Sequence, residues 1–216
     1  MTDIEDYNAG DILVQRFTLI SAFTPQVWLA SDRSCGTKVI IKHAENELLH
    51  REWSCMSQCS SPYIQQSLEY LPASSLLILS YINGQSILAF SQVQSSLFIS
   101  LIPQIVRAVC HLHQQGWVHG DIKPSNVIYQ PELGSIKIID FGASWPAGTA
   151  LEHLPQWQLT PGFSRKNKHQ GTGLIEVKDD WFALQQWLRQ IDPQLLTQGD
   201  KNKLTRWKKW LVKQLD

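Results

Sequence analysis

From Ser96 to Gln115 apolar residues recur at spacings of three and four, as Leu97, Leu101, Ile105, Ala108 and Leu112, and Gly116 follows. That period lays one apolar stripe along a helix, so the stretch predicts a core-facing helix closed by glycine. Residues Ile12 to Ala30 alternate instead, with an interruption from Ser21 to Pro25, and predict two strands around a bend. Val39-Ile40-Ile41-Lys42 predicts a third strand and Glu45 to Gln58 a helix. Gln66 to Tyr70 and Leu76 to Ser80 predict two more strands, joined by the turn Pro72-Ala73-Ser74. Val127-Ile128-Tyr129 and Ile136 to Ile139 form the arms of a hairpin whose turn is Pro131-Glu132-Leu133-Gly134. Ala143 to Gln170, with Pro146, Pro155, Pro161 and Gly162, predicts a long loop. Asp180-Trp181-Phe182-Ala183-Leu184 opens a helix, and a final helix follows Asp192-Pro193.

That last helix carries Leu204, Trp207, Leu211 and Leu215 on one face, with Lys203, Arg206, Lys208, Lys209 and Lys213 elsewhere. It predicts a packed terminal helix with a solvated outer face, the alternative being a basic helix that binds a membrane or a partner. Six of the nine tryptophans lie at or after Trp145, where they are expected to cover apolar surface of a small helical lobe.

Composition narrows the function classes. The 216 residues suffice for one sizeable core or two packed lobes. Lys plus Arg and Asp plus Glu both number 19, so no net positive field marks a nucleic-acid partner. Met1 to Asp11 is acidic and polar, and no apolar run reads as a bilayer span, so a cytoplasmic protein without a membrane span is expected. Cys35, Cys55, Cys59 and Cys110 show no metal-ligand spacing and are expected as buried or half-buried free thiols.

The chemistry concentrates in His119-Gly120-Asp121-Ile122-Lys123-Pro124-Ser125-Asn126, answered by Asp140-Phe141-Gly142. Asp121 and Asn126 stand just before the predicted hairpin and Asp140 just after it, which brings two carboxylates and an amide together. Phosphoryl transfer needs such a set: a carboxylate that accepts the proton of the attacking hydroxyl, and oxygen ligands for Mg²⁺ on the nucleotide phosphates. Asp121 is the candidate base, Asn126 and Asp140 the candidate metal ligands, and Lys123 the candidate cation that neutralises the transferred phosphoryl group.

At these residues the chain resembles the eukaryotic-type protein kinase family, whose motifs read H-R-D-x-x-x-x-N and D-F-G. Lys123-Pro124 is similar to the serine/threonine branch. The resemblance implies an α+β fold of two lobes: residues 1–82, an antiparallel sheet with one helix, and residues 83–216, a mainly helical and shortened lobe, with ATP in the cleft between them. It implies that Lys42 holds the α- and β-phosphates and that Glu52 pairs with Lys42. Ser61-Pro62-Tyr63-Ile64, which resembles the H-P-x-I segment, sets the position of Glu52; Glu45 and Glu47 are first-turn residues instead. The resemblance further implies that Val27, Ile40, Leu79 and Ile128 line the nucleotide site, that the backbone of Ser80 and Ile82 bonds the adenine edge, and that Thr160 touches Asp121. Asp180 braces the catalytic-loop backbone by the same resemblance, His119 orders that loop from beneath, and His111 and His113 are ordinary helix-end residues.

The chain departs from the pattern at several positions. Ile20 or Ser21, Ala22 and Pro25 stand where glycines would let backbone N–H groups approach phosphate, and Pro25 has no N–H. Losing one or two such bonds weakens nucleotide binding roughly five- to thirty-fold. Ile40 replaces the small residue over the adenine, and Arg165-Lys166-Asn167 replaces A-P-E. In the family the glutamate of A-P-E pairs with a distant arginine, and loss of both members together leaves no unpaired charge. Gly120 replaces the Arg that receives a phosphorylated activation loop, so control by loop phosphorylation is not expected.

The expected function is that of a serine/threonine protein kinase using ATP with Mg²⁺, or Mn²⁺ in its place, on protein hydroxyls that include its own. The alternatives are a pseudokinase acting as a binding or scaffold module, and a small-molecule phosphotransferase of the aminoglycoside type, in which His-Gly-Asp also occurs.

Overall fold

The alternation near the N-terminus becomes a sheet because every second side chain has a core to enter. A computed structural model describes residues 7–90, 94–154 and 157–216, and Pro155 of the predicted loop lies outside them. The chain divides into two compact units, the first made of residues 1–60 and 65–83 and the second of residues 61–64 and 84–216.

Six strands form the sheet of the first unit: β1 (Ile12–Leu13), β2 (Phe17–Thr24), β3 (Val27–Asp32), β4 (Lys38–His43), β5 (Ser67–Leu71) and β6 (Leu76–Ser80). Their order is β1-β2-β3-β4-β6-β5, and every pairing is antiparallel. One face buries Phe17, Leu19, Trp28, Ala30, Val39, Ile41, Leu76 and Ile78 in a common cluster. Residues directly opposite across strands share a face, so the pairs Val27–Lys42, Leu29–Ile40, Ile40–Leu79 and Lys42–Leu77 place those side chains on the other face. The helix α1 (Asn46–Gln58) turns Leu49, Glu52, Cys55 and Met56 inward, at helical spacing.

The predicted break at Ser21 is not a break. Strand β2 runs on to Thr24 with register shifts between Leu19 and Ser21 and between Ala22 and Thr24, and the turn itself is Pro25-Gln26. Bulges absorb one residue each without ending the ladder, and the skipped residues Ile20 and Phe23 are exposed, as are Ser21, Ala22 and Thr24. Cys35 also departs from expectation, being exposed in the β3–β4 turn beside the Thr37 hydroxyl.

The second unit is built on α2 (Ser95–Gln114), which buries Phe98, Ile99, Leu101, Ile102, Ile105, Ala108, Val109 and Leu112. With 20 residues and an 18-residue stretch of mean hydropathy 1.4, α2 is by length and composition alone apolar enough to cross a bilayer, but half of that stretch is buried. Its buried residues make it a core helix. The unit's other elements begin with β7 (Gln85–Ser86), β8 (Trp117–Val118), β9 (Val127–Gln130), β10 (Ser135–Ile138) and β11 (Trp145–Pro146). They continue with α3 (Lys166–His169), α4 (Val177–Arg189) and α5 (Gln198–Leu215). β9 and β10 are the predicted hairpin, with β7 on its other edge.

Helix α5 packs on α4 and α2 through Leu204 and Leu211, leaving Arg206 and Lys209 in solvent. All nine tryptophans are described and none is exposed. Trp187 stacks on Phe98 at 4.5 Å, and Trp181 meets Trp210 edge-on at 5.2 Å, so these rings fill the seams between the three helices.

The stretch from 143 to 170 holds more structure than its prolines suggest. β11 pairs with β8, and Ala150 bridges Leu174. Gly148 N–H donates to Ile175, Ile175 N–H to Thr149 and Leu151 N–H to Gly173. Leu151 is buried with Val118 and Ile175, and Trp145, Leu154, Trp157 and Val177 close over them.

Candidate active site

In the first unit Lys42 Nζ lies 2.7 Å from Glu52 Oε2, and Glu52 is only 1% exposed. The pair forms because β4 puts Lys42 on the face opposite the core cluster, while α1 turns Glu52 inward between Leu49 and Met56. Val27 and Ile40 share the face of Lys42 and are half-buried, whereas Leu79 on that face is buried. The Ser80 carbonyl accepts from the Gln65 side-chain amide at 2.8 Å, and the Ser80 N–H donates to Gln66. A carbonyl has two lone pairs, so one acceptor position at Ser80 is already taken. Ile82 lies in the stretch 81–83, outside any ladder.

The second unit holds the loop. Asp121 Oδ1 accepts from the Thr160 hydroxyl at 2.7 Å, and Asp121 Oδ2 lies 2.6 Å from Lys123 Nζ. Lys123 Nζ also donates to Thr160 Oγ1 at 3.0 Å, which closes a triangle of carboxylate, ammonium and hydroxyl. The Asn126 amide donates to Asp121 twice, at the backbone oxygen and at Oδ2. Its nitrogen is thereby committed, and its oxygen is the acceptor, receiving Ser125 Oγ at 3.2 Å. Three charges or dipoles of the right sign thus hold one carboxylate in a fixed orientation.

Asp140 has φ of +62°, a left-handed conformation uncommon outside glycine, of the kind that concentrates at functional sites. The surroundings enforce it. Ile139 N–H donates to Asn126 O, the Ile139 carbonyl meets His119 Nε2 at 3.2 Å, and Phe141 is wholly buried against the His119 ring at 4.8 Å. Ile128 sits half-buried on β9, opposite Lys137.

Beneath the loop lies Asp180, 1% exposed. It accepts from His119 N–H at 2.9 Å, Gly120 N–H at 2.8 Å and His113 Nε2 at 2.9 Å. Burial pushes its carboxyl up, but the His113 hydrogen bond and charge, the His119 charge and the Gly120 N–H outweigh that and hold it below the usual carboxylate range. His113 is therefore part of the support, which sequence reasoning missed. Nothing local marks it, because its partner lies 67 residues away.

Gly120 has a backbone reason beyond the missing Arg. Its φ is +82°, and an added Cβ would lie 2.4 Å from the Ala143 carbonyl oxygen. Gly120→Ala is expected to cost about 2 kcal/mol of stability through left-handed strain and displacement of Ala143. Differential scanning calorimetry should show a Tm lower by roughly 5 °C, and an unchanged Tm would show that Ala143 yields freely.

The donors fit a hard divalent cation. An amide oxygen and a carboxylate, Asn126 and Asp140, are ligands that Mg²⁺ takes alongside substrate phosphates and water. Among the described residues there is no cluster of three or more His, Cys, Asp or Glu of the kind that cages a metal by protein alone.

In the second unit a carboxylate is held by a lysine and a threonine, with an Asn and an Asp flanking a β-hairpin, and in the first a strand lysine pairs with a helix glutamate; this is the residue pattern of the protein kinase class. The chain belongs to the eukaryotic-type protein kinase family: the sequence profile described as protein kinase domain matches residues 27–183. Among curated relatives, serine/threonine-protein kinase YabT of Bacillus subtilis is 30% identical over 120 residues, covering 53% of this chain and 34% of that protein. Serine/threonine-protein kinase PrkC of the same organism is 29% identical over 113 residues, 50% of this chain and 17% of that protein. The maternal embryonic leucine zipper kinase of Xenopus tropicalis is 27% identical over 173 residues, 74% of this chain and 26% of that protein. The chain thus spans about a third or less of each of these relatives. Among solved structures, the Cydia pomonella granulovirus kinase PK-1 superposes with a TM-score of 0.62 at 19% identity, covering 80% of this chain and 66% of that one. At that identity the likeness establishes the kinase-like fold.

Proposed function

We propose that the chain is an ATP- and Mg²⁺-dependent serine/threonine protein kinase. The observation that carries this reading is the Asp121 carboxylate, bonded by Thr160, Lys123 and Asn126. The acceptor hydroxyl gives its proton to Asp121 as its oxygen bonds to the γ-phosphorus and the bond to the ADP oxygen breaks. Lys123 offsets charge on the moving phosphoryl group, and Thr160 keeps the base oriented. By the family pattern Lys42 with Glu52, in the first unit, would hold nucleotide phosphates, and Asn126 with Asp140, in the second, would hold Mg²⁺. Bound Mg²⁺ supplies charge neutralisation at the phosphates.

A pseudokinase reading has its own support. Pro25 sits in the turn between β2 and β3, Ile40 shares the face of Lys42, and Ser80 O already accepts from Gln65. Incubation with labelled ATP and either Mg²⁺ or Mn²⁺, with generic protein acceptors, separates the two. Label on protein is expected, together with a weak apparent affinity for ATP. No label with either metal moves the assignment to a binding module, and ATP consumption with metabolites but no protein label moves it to a small-molecule phosphotransferase.

A further inference from the structure

Asp179 and Asp180 are neighbours in the first turn of α4 and both are buried, yet their partners come from different parts of the second unit. Asp180 takes the catalytic-loop backbone. Asp179 takes the segment that follows Thr160: its Oδ2 lies 3.0 Å from Lys168 Nζ and its Oδ1 accepts from Arg165 at 3.3 Å. Arg165 also reaches Glu176 at 2.7 Å, and Glu176 N–H donates to Asp179 Oδ2 at 2.8 Å, so the capping box of α4 and the ion pairs share one carboxylate. Lys168 is 5% exposed, a burial that lysine rarely adopts without a partner.

The same lysine's backbone closes the segment. Trp157 Nε1 donates to Lys168 O at 3.0 Å, and the Trp157 ring lies over Gly171, where a Cβ would meet it at 2.6 Å. Inside that loop, Phe163 N–H and Ser164 Oγ both donate to Thr160 O. Thr160 therefore lies within the loop that Trp157 and Lys168 close, and Lys168 is tied to α4.

We propose that Asp179, Lys168 and Arg165 are positioning residues that hold the Thr160 segment in register with Asp121, at the place where this chain has Arg165-Lys166-Asn167 instead of A-P-E. The polarity is the reverse of the family's pairing, with the cations on the segment and the carboxylates on the helix behind it. The first turn of α4 then fixes both sides of the acceptor site, the base through Asp180 and the segment through Asp179. This inference rests on the kinase reading for its catalytic consequence, but its structural part does not.

The test uses the full chain with Lys168→Met, which keeps the aliphatic stem and removes the charge, and Lys168→Arg, which restores it. Hydrogen exchange of residues 157–165 is expected to quicken about tenfold in Lys168→Met, with exchange in α2 unchanged, and to stay within about twofold of wild type in Lys168→Arg. Unchanged exchange in 157–165, or a rise shared equally with α2, overturns the anchor whether or not the protein transfers phosphate. In steady-state assays the KM for a protein acceptor is expected to rise about tenfold in Lys168→Met with the KM for ATP unchanged. An equal rise in both KM values overturns the positioning role. If the wild-type protein labels no acceptor, the kinase reading fails, and the exchange measurement still decides the anchor.

Discussion

Asp121→Ala is expected to lower phosphoryl transfer by about 10²- to 10⁴-fold, the usual range for loss of a positioned general base. The reason is local. Every neighbour bonded to the Asp121 carboxylate is a donor: the Thr160 hydroxyl, the Lys123 ammonium and the Asn126 amide. Asp121→Asn should fare little better than alanine, because an amide cannot take up the acceptor's proton, and its nitrogen finds a partner only if the Thr160 hydroxyl turns its own proton away. Intact mass of the protein purified from cells, with label transfer in vitro, measures the effect. Nucleotide affinity should hold in the Asp121 variants and fall in Asp140→Ala, which removes a proposed metal ligand. Transfer by Asp121→Ala within about threefold of wild type would rule out Asp121 as the base.

Asp180→Ala carries the largest expected effect on stability. It leaves the His119 and Gly120 N–H groups buried without their acceptor and strands His113. At about 1–3 kcal/mol for each orphaned donor, the loss should reach about 3–5 kcal/mol, a large share of an ordinary domain's margin. Urea unfolding followed by Trp fluorescence is well suited, since Trp181 adjoins the site and contacts both His113 and Trp210 edge-on. A shift below about 1 kcal/mol would mean that water replaces the carboxylate at little cost.

The parts of the fold legible in the sequence are those set by local period. The stripe on α2 and the alternation of β3 each declare a buried face and the apolar run of β6 declares a buried strand, and the structure buries all three. The motif residues Asp121, Asn126 and Asp140 were legible because short, fixed loops carry them. Order that depends on distant partners was not. The stretch from Trp145 to Leu154 owes its order to bonds with residues 173–175 and to burial against Val118, none of which prolines and glycines announce. His113 was hidden for the same reason. At β2 the bulges, invisible in composition, turned an expected bend into a continuing strand. Gly120 was read for the side chain it lacks, while its backbone conformation was the stronger constraint.

That constraint limits how the chain can be re-engineered. Installing a phosphate-responsive arginine at position 120 requires the Ala143 carbonyl to move first, and Ala143 follows directly on Gly142 and precedes Ser144, whose hydroxyl donates to the His119 carbonyl. A designer seeking a phospho-switch would have to rebuild two loops in concert, since no lone codon change reaches it.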